Sequence, residues 1–473
     1  MAGLFSILGS TATALDAQSQ AIAVTSNNIA NLNNSTYSVE TVSFDELPSV
    51  ATADGPQATG VTTTVEQQRS AVLDQMVQQQ ASITSGFEAM QNVLQQAQAS
   101  LGDDITNTST SASSDSTSST TVSGLTASLS DFFNAFENLA SNPTDTGAQQ
   151  TVYQDAGVLT DRFQQIDQSL TQVQSDAGSQ AASDVSTANG LLQQVAQLNG
   201  QIVSAQASEP GSADSLIDQR EGVLEQLAGL MPITVQANAQ GEDQVSTSDS
   251  QGNSVVLVRN AAVANSLSYS DGTVSAGNPP TALGLSSGSI EGTLSASTGA
   301  VQTLRASLDQ LAAQIVTSVN AAYNPDGTTG GNFFDASGLT AGTIALDPNL
   351  TAANLTAGTG AAGDNSIALA AANVGSQSFS TANGDLIDGS IADYYSGAVS
   401  TLGEALDSAN TQVTDQTNVQ TIIVNQRQSV SGVDLDQEMS NLMMYQNAYQ
   451  ASSEVLATIN TLFTDFFDNF TGN

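Results

Sequence analysis

The sequence predicts a mainly α-helical protein with a small β domain, in which two terminal helices form a coiled coil and the middle forms a helical bundle. Two observations favour this class. Apolar residues recur every seven positions at both ends of the chain, and a segment rich in β-branched residues interrupts the helical periodicity between them. With 473 residues, the chain is long enough for about three domains.

The first predicted element is an N-terminal coiled-coil helix within residues 1–35. One heptad position carries large apolar side chains, namely Leu8, Leu15, Ile22 and Ile29. A strict spacing of seven favours a left-handed supercoil with another helix over packing on a globular core. The Asn- and Ser-rich stretch 31–37 is expected to end the helix, because these side chains compete for backbone hydrogen bonds.

Residues 36–232 are predicted to form a helical domain that begins with a connector rich in Pro and Gly. Its helices are expected at 65–101, 129–140, 149–177, 182–207 and 215–230. The Ser/Thr-rich segment 106–123 has almost no apolar content, so we expect a flexible loop there. Four apolar residues at helical spacing are interpreted as bundle core rather than a ligand site: Phe132, Phe133, Phe136 and Leu139.

The segment 233–296 is predicted to be β-rich. Apolar residues alternate at Ile233 and Val235, and a β-branched run follows at 255–258. The dipeptide Asp271-Gly272 stands between two short alternating runs. It favours a two-residue type I′ hairpin, whose turn needs positive φ at both positions.

The remaining chain returns to helix, first as a helical and mixed region at 297–430 and then as a C-terminal coiled-coil helix at 431–473. Helices are expected at 298–323, at 391–430 and, after a capping box at Asp434 and Gln437, at 434–470. The last helix carries its own heptad residues: Leu435, Leu442, Tyr449, Leu456 and Phe463, with Ile459 and Phe466 on the neighbouring position. We expect these residues to bind partner helices together with the four N-terminal heptad residues.

Charge and composition exclude several classes of function. The chain has 46 acidic residues, six arginines and no lysine, giving a formal net charge of -40. This charge repels phosphate backbones and anionic lipids, so nucleic acid and membrane surfaces are not expected partners. The N-terminus lacks the basic and apolar regions of a cleavable secretory signal. No apolar run reaches the roughly 18 residues that a transmembrane helix needs.

The chemistry available to the chain argues against an enzyme. There is no histidine and no cysteine, which removes the commonest general base, the commonest metal ligand and the strongest nucleophile. No nucleotide-binding fingerprint is present, and neither a cofactor nor a metal is expected. Catalysis by carboxylates alone remains an alternative, but 46 carboxylates produce neighbouring pairs by chance.

Two terminal segments resemble known signatures. SNNIANLNNSTYSVE at 26–40 resembles the N-terminal signature of bacterial flagellar axial proteins, and residues 429–463 resemble the matching C-terminal signature. Three internal blocks, at 131–163, 215–235 and 308–335, are similar to the hook-associated FlgK family. The chain departs from the family where it reads Ser35-Thr-Tyr-Ser-Val39 instead of Pro-Gly-Tyr-Ser-Arg, and it is short for the family.

The resemblance implies a structural protein at the hook-filament junction of the bacterial flagellum. It implies export through the flagellar type III apparatus with a chaperone, an extracellular location, and assembly as a ring of copies on the hook. The implied partners are further copies of the chain, the hook protein, and a neighbouring hook-associated protein or flagellin. Two alternatives are another flagellar axial protein of the hook, rod or flagellin type, and a secreted acidic adhesin. The adhesin does not explain matched heptads at both termini.

Overall fold

The computed structural model describes residues 2–52, 55–57, 59–102, 124–208, 213–238, 240–328, 331–361 and 363–471. The predicted loop at 106–123 lies outside these residues. The described residues form ten α-helices: α1 (Ala2–Ala30), α2 (Ala71–Leu101), α3 (Leu125–Ser141), α4 (Thr146–Ser208), α5 (Asp214–Leu230), α6 (Ser289–Ala296), α7 (Gln302–Tyr323), α8 (Ser366–Val374), α9 (Ile391–Ser431) and α10 (Leu435–Thr471). A π-helical turn, Ser297–Val301, joins α6 to α7.

The described strands are short and pair antiparallel. They are β1 (Glu40–Glu46), β2 (Val50–Thr52), β3 (Gly55–Gln57), β4 (Val61–Gln67), β5 (Thr234–Ala237), β6 (Asp243–Ser248), β7 (Ser254–Arg259), β8 (Ala262–Val263), β9 (Leu267–Ser270), β10 (Thr273–Ala276) and β11 (Thr281–Ala282). β1 pairs with β4, and β2 with β3. The central β region contains one sheet in the order β5-β6-β7-β8 and another in the order β11-β10-β9. The predicted class, mainly α with a small β domain, is confirmed.

Two hydrophobic cores hold the middle of the chain together. The first joins α3, the N-terminal half of α4, α7, α8 and parts of α2 and α9. The second joins the C-terminal half of α4, α5, α6 and the two central sheets. The division falls on α4, because Ala177 belongs to the first core and Ala181 to the second. We call this two-core unit the body. The division of the chain into domains at the boundaries given above stays a prediction.

Local signals account for several element boundaries. Asp271 and Gly272 adopt φ angles of 50° and 79°, so the two-residue turn between β9 and β10 is as predicted. Helix α10 begins one residue after Asp434, whose Oδ1 accepts the backbone N–H groups of Asp436 and Gln437. The Gln437 side chain donates to Asn441 instead of reaching back, so only half of the capping box forms.

Three predicted helix boundaries are wrong. Residues 61–67 form strand β4, so the helix expected from 65 begins at 71. The helices expected at 149–177 and 182–207 are one 63-residue helix, α4. Gly178, which lies between the two expected helices, is helical, and its lack of a side chain leaves room for the Tyr269 hydroxyl. The helix expected from 298 begins at 289 and passes through the π-helical turn.

Helices α2 and α6 cross at glycines. A Cβ atom on Gly292 would overlap the backbone carbonyl oxygen of Gly86, and one on Gly86 would lie 3.2 Å from the backbone N of Gly288. The Gly288 N–H donates to the Ser82 carbonyl at 2.8 Å. Only glycine permits this backbone approach, so the crossing fixes α2 to the second core.

Gly292→Ala is therefore expected to destabilise the body by roughly 1–3 kcal/mol or more, because the added methyl group forces two backbones apart. Gly190→Ala is the matched control. It lies in α4 with open space around the Cβ position, and replacing a helical glycine there should raise stability by about 0.4–1 kcal/mol. Urea unfolding followed by circular dichroism measures both changes. Equal urea midpoints for the two variants would contradict the close backbone approach of α2 and α6 at these glycines.

Candidate assembly interface

The two ends of the chain pack against each other as a helix pair. Helix α1 lies along α10, and the hairpin of β1 and β4 packs against α1. We call α1, α10 and this hairpin the terminal rod. The centre of the α1 face consists of small side chains, Ala17, Ala21 and Val24, all buried. On α10 the most buried apolar residue is Ile459, at 5% exposure.

Within the rod, the hairpin is held against the two helices by specific contacts. The backbone N–H of Val61 donates to the Thr13 hydroxyl at 3.3 Å. The rings of Phe44 and Tyr445 lie 5.9 Å apart, so the hairpin also contacts α10. Both contacts hold the hairpin against the helix pair and fix its direction where it enters the body.

The predicted interface residues divide into three groups by exposure. Ile459 is buried. Half-buried are Leu8, Leu15, Ile22, Ile29, Leu442, Leu456 and Phe463. Exposed are Leu435 at 43%, Tyr449 at 41% and Phe466 at 44%. The half-buried α1 residues flank the Ala17, Ala21 and Val24 stripe instead of forming its centre. The binding of partner helices by these residues stays a prediction.

Helix α10 exposes six apolar residues on two of its faces, and the heptad analysis selected only Leu435 among these six. Leu435, Met439 and Met443 follow one another at intervals of four and share a face. Met444, Val455 and Leu462 lie on another side, at spacings of eleven and seven. All six are at least 43% exposed. A search limited to one heptad seam misses the other five, whereas an apolar count on every helical face finds them.

The exit from α1 is fixed by Asn28, which is 1% exposed. Its side-chain oxygen accepts the Tyr37 hydroxyl at 2.7 Å and the Glu40 backbone N–H at 3.1 Å. Its amide nitrogen donates to the Glu40 carbonyl at 2.8 Å. Asn28 thus folds the 31–38 loop back onto α1 and starts β1. Burial raises the pKa of Tyr37, and Glu40 and Asp218 add to the rise.

Rod and body meet at a buried cluster of charged residues, which we call the joint cluster: Arg69, Asp74, Asp218, Glu221, Glu225 and Arg427. Arg69 follows β4, and Arg427 stands in the last turns of α9. The two arginines therefore flank the two places where the chain passes between body and rod. Neither place shows an apolar periodicity in the sequence from which the joint cluster could be predicted.

Each arginine contacts several elements at once. Nη2 of Arg69 lies 2.7 Å from Asp218 and donates to the Thr36 carbonyl at 3.3 Å; Nη1 lies 3.4 Å from Glu221. Nη1 of Arg427 pairs with Glu225, and Nη2 donates to the Ser35 carbonyl at 3.0 Å.

Asp74 connects the two arginines, with its carboxylate oxygens 3.6 Å from each guanidinium. Its position in the first turn of α2 ties that helix to both chain crossings. The joint cluster thus links the 31–38 loop, α2, α5 and α9.

Carboxylates exceed guanidinium groups in the joint cluster by four to two, and burial makes this excess costly. Burial raises the pKa of Glu221 to about 7, with Asp74 adding to the rise and Arg69 opposing it. Burial likewise raises the pKa of Asp218 to about 6 against the opposing effect of Arg69. The pKa of Asp74 is raised by burial too, although both arginines oppose the change.

Within the described ranges, no group of three or more carboxylates, histidines or cysteines is arranged to hold a metal ion. A search of the same residues finds no helix long and apolar enough to cross a bilayer.

Comparison with known proteins agrees with this geometry. The family model described as the FlgK helical domain of flagellar hook-associated protein matches residues 111–334. The model of the flagellar basal body rod FlgEFG protein C-terminal matches residues 424–465, which include most of α10.

Similar proteins match over nearly their full length. Flagellar hook-associated protein 1 of Bacillus subtilis (strain 168) is 27% identical over 510 residues, covering 96% of each chain. Its counterpart in Escherichia coli (strain K12) is 25% identical, covering 97% of this chain and 98% of that protein.

The solved structure of the flagellar hook junction protein FlgK from Burkholderia pseudomallei aligns with a TM-score of 0.46 and 23% identity, over 55% of this chain and 46% of that one.

The helical-domain match covers the middle of the chain, and the near full-length relatives extend the likeness to both termini. This agrees with the resemblance found in the terminal signatures and internal blocks. A structural role in the flagellum, and a location there, follow from the family. The chain belongs to the FlgK family of flagellar hook-associated proteins.

Proposed function

We propose that this chain is the junction component between flagellar hook and filament: copies assemble as a ring on the end of the hook, and the ring seats the filament. Its partners are further copies of the chain, the hook protein, and a neighbouring hook-associated protein or flagellin. It reaches this extracellular position through the flagellar type III export apparatus, assisted by a chaperone. Its role is structural rather than catalytic.

The exposure of apolar side chains on α10 is the observation that supports assembly most directly. Met443 and Met444 are 59% and 55% exposed, and Leu462 is 51% exposed. Helix α1 covers one side of α10 and leaves these residues at the surface. Removing each such side chain from water stabilises an assembly by roughly 1.5–3 kcal/mol. An exposed ion pair contributes about 0–1 kcal/mol, so apolar contact dominates the association of this lysine-free chain.

The proposal is tested by placing a charge on each exposed face of α10. Met443→Glu combined with Leu462→Glu is expected to abolish self-association and assembly on purified hooks, because a carboxylate cannot be buried in an apolar contact. Sedimentation velocity measures the association, electron microscopy shows occupancy of hook ends, and circular dichroism verifies that α10 stays helical.

Two controls separate apolar contact from charge. Gln154→Glu combined with Gln193→Glu adds the same two charges at exposed positions of α4 instead of α10 and should leave assembly unchanged. Met443→Leu keeps the apolar character and should also assemble. If the doubly charged variant assembles like the wild type, the exposed faces of α10 do not mediate assembly.

A further inference from the structure

The joint cluster has a feature that assembly alone does not require: it buries more negative than positive charge where rod and body connect. Asp74, Asp218 and Glu221 are 6%, 4% and 6% exposed, and Glu225 is half-buried. Among the described residues, the cations that pair with them are Arg69 and Arg427. When all six groups are ionised, the cluster carries an uncompensated negative charge in a site from which water is largely removed, which is unfavourable.

The acidic surroundings extend beyond the cluster. Asp214, also on α5, and Glu40, on β1, place two further carboxylates beside the cluster, since Asp214 and Asp218 act on Glu40 and Arg69 acts on Asp214. Burial raises the pKa of Glu40 to about 7, and Asp214 and Asp218 add to the rise. Arg220, the arginine of α5, pairs elsewhere, since its Nε lies 2.8 Å from Asp243. Among the described residues, the neighbouring elements thus supply further carboxylates and no spare cation.

The hydrogen bonds of the cluster leave room for a proton. Oδ2 of Asp218 is buried without a hydrogen-bond partner, so a proton can bind there without displacing a donor. Oε1 of Glu221 accepts the Gln78 amide at 2.8 Å, while Oε2 meets Arg69 only at 3.4 Å. Both carboxylates can therefore be neutralised with their main contacts in place.

A small cavity adjoins the cluster. It has a volume of about 120 Å³ and lies between the 31–38 loop and the end of α9, with Asp74, Arg427 and Ser431 in its wall. The Ser431 hydroxyl is buried without a hydrogen-bond partner. This cavity has room for water to approach the cluster when its carboxylates ionise.

Two backbone hydrogen bonds report whether the joint is closed. The Val39 N–H donates to the Ser431 carbonyl at 2.8 Å and so connects the start of the hairpin to the end of α9. The Gln68 N–H donates to the Val39 carbonyl at 2.9 Å. Opening the joint breaks the first bond and leaves the second, which ends the β1–β4 ladder beside Arg69, free to fray, while both cores of the body stay intact.

We propose that the joint cluster is a proton-operated lock, in which protonation of Glu221 and Asp218 closes the contact between rod and body and ionisation of both loosens it. This is a property of the single chain and does not depend on ring assembly. The lock sets how freely the rod turns relative to the body as the surrounding pH changes.

The direction of the pH dependence follows from linkage. Burial raises the pKa of Glu221 from 4.5 to about 7, so the closed joint binds more protons than the opened one. Its extra stability is present below the pKa of an exposed carboxyl and is lost as the pH rises through about 7. Acidification from pH 8.5 to pH 5.5 should therefore close the joint.

Hydrogen exchange of the Val39 and Gln68 amides tests the lock. After correction for intrinsic exchange, their protection factors in the wild type should fall at least about tenfold between pH 5.5 and pH 8.5, since one unit of pKa shift corresponds to a factor of ten. The Leu283 amide, which donates to Val274 inside the second core, should stay unchanged over this range and serves as the internal reference.

Glu221→Gln imitates the protonated lock and should keep Val39 and Gln68 protected at pH 8.5, with a flatter pH profile. Glu404→Gln, at an exposed position of α9, is the control for net charge and should keep the wild-type profile. Protection in the wild type that is constant or rises with pH overturns the proposal. A pH profile of Glu221→Gln that is as steep as that of the wild type also overturns the proposal. If Glu221→Gln does not fold, Asp218→Asn provides the same comparison.

Discussion

Phe132→Ala is expected to lower the free energy of unfolding of the body by about 3–5 kcal/mol, the range for truncating a fully buried aromatic residue. Phe132 is 0% exposed and lies at the centre of a group of rings. Its ring centroid is 5.0 Å from that of Phe133, 5.2 Å from Phe136, 5.7 Å from Phe333 and 5.8 Å from Phe334. Removing it leaves a cavity that the neighbouring rings would have to fill by moving.

Urea unfolding followed by circular dichroism at 222 nm measures this loss. Phe44→Ala is the residue-matched control, because Phe44 is 37% exposed and contacts a ring of the rod rather than the body. It should leave the body transition in place. A Phe132→Ala variant within about 1 kcal/mol of the wild type would show that the ring group relaxes without cost, contrary to the packing described.

Arg427→Met is expected to have a similarly large effect, localised at the joint. Removing one partner of a buried ion pair costs about 3–5 kcal/mol, because the remaining charge is left uncompensated. Here Asp74 would lose one of its two guanidinium neighbours, and the Ser35 carbonyl would lose its donor. Loss of protection at the Val39 amide, together with a lower thermal midpoint, would show the effect.

A second substitution identifies the cause. Adding Asp74→Asn to Arg427→Met removes the stranded charge and should restore part of the stability, which a double-mutant cycle measures as a coupling energy. Arg162→Met is the control, since the hydrogen-bond partner of Arg162 within the described residues is the exposed Gln165 on its own helix, and the substitution should change stability by less than about 0.5 kcal/mol. Additive effects of the Arg427 and Asp74 substitutions would argue against a coupled joint.

Much of the fold follows from local sequence signals. Asp434 starts α10, Asp271-Gly272 turns a hairpin, and Phe132 and Phe136 enter the core that their helical spacing predicts. These signals are local because a cap, a turn and an amphipathic face each lie within a few residues of the chain. The aromatic partner Phe333 lies in a segment without regular structure, so no periodicity indicated that it completes the ring group.

The interface was predicted less completely, for a physical reason. Heptad spacing reports which face of a helix is apolar, but not how closely its partner approaches. The small residues Ala17 and Ala21 allow close approach and form the centre of the α1 face, while the larger Leu15 and Ile22 lie beside it. The joint could not be found from periodicity, because Arg427 and the Ser35 carbonyl are 392 positions apart.

The unbroken course of α4 has a mechanical consequence. At 1.5 Å per residue its 63 residues extend roughly 95 Å, and the helix passes through both cores without an intervening linker. A force applied to the two central sheets is therefore transmitted to the first core as bending of one continuous helix instead of being absorbed by a swivel between two units.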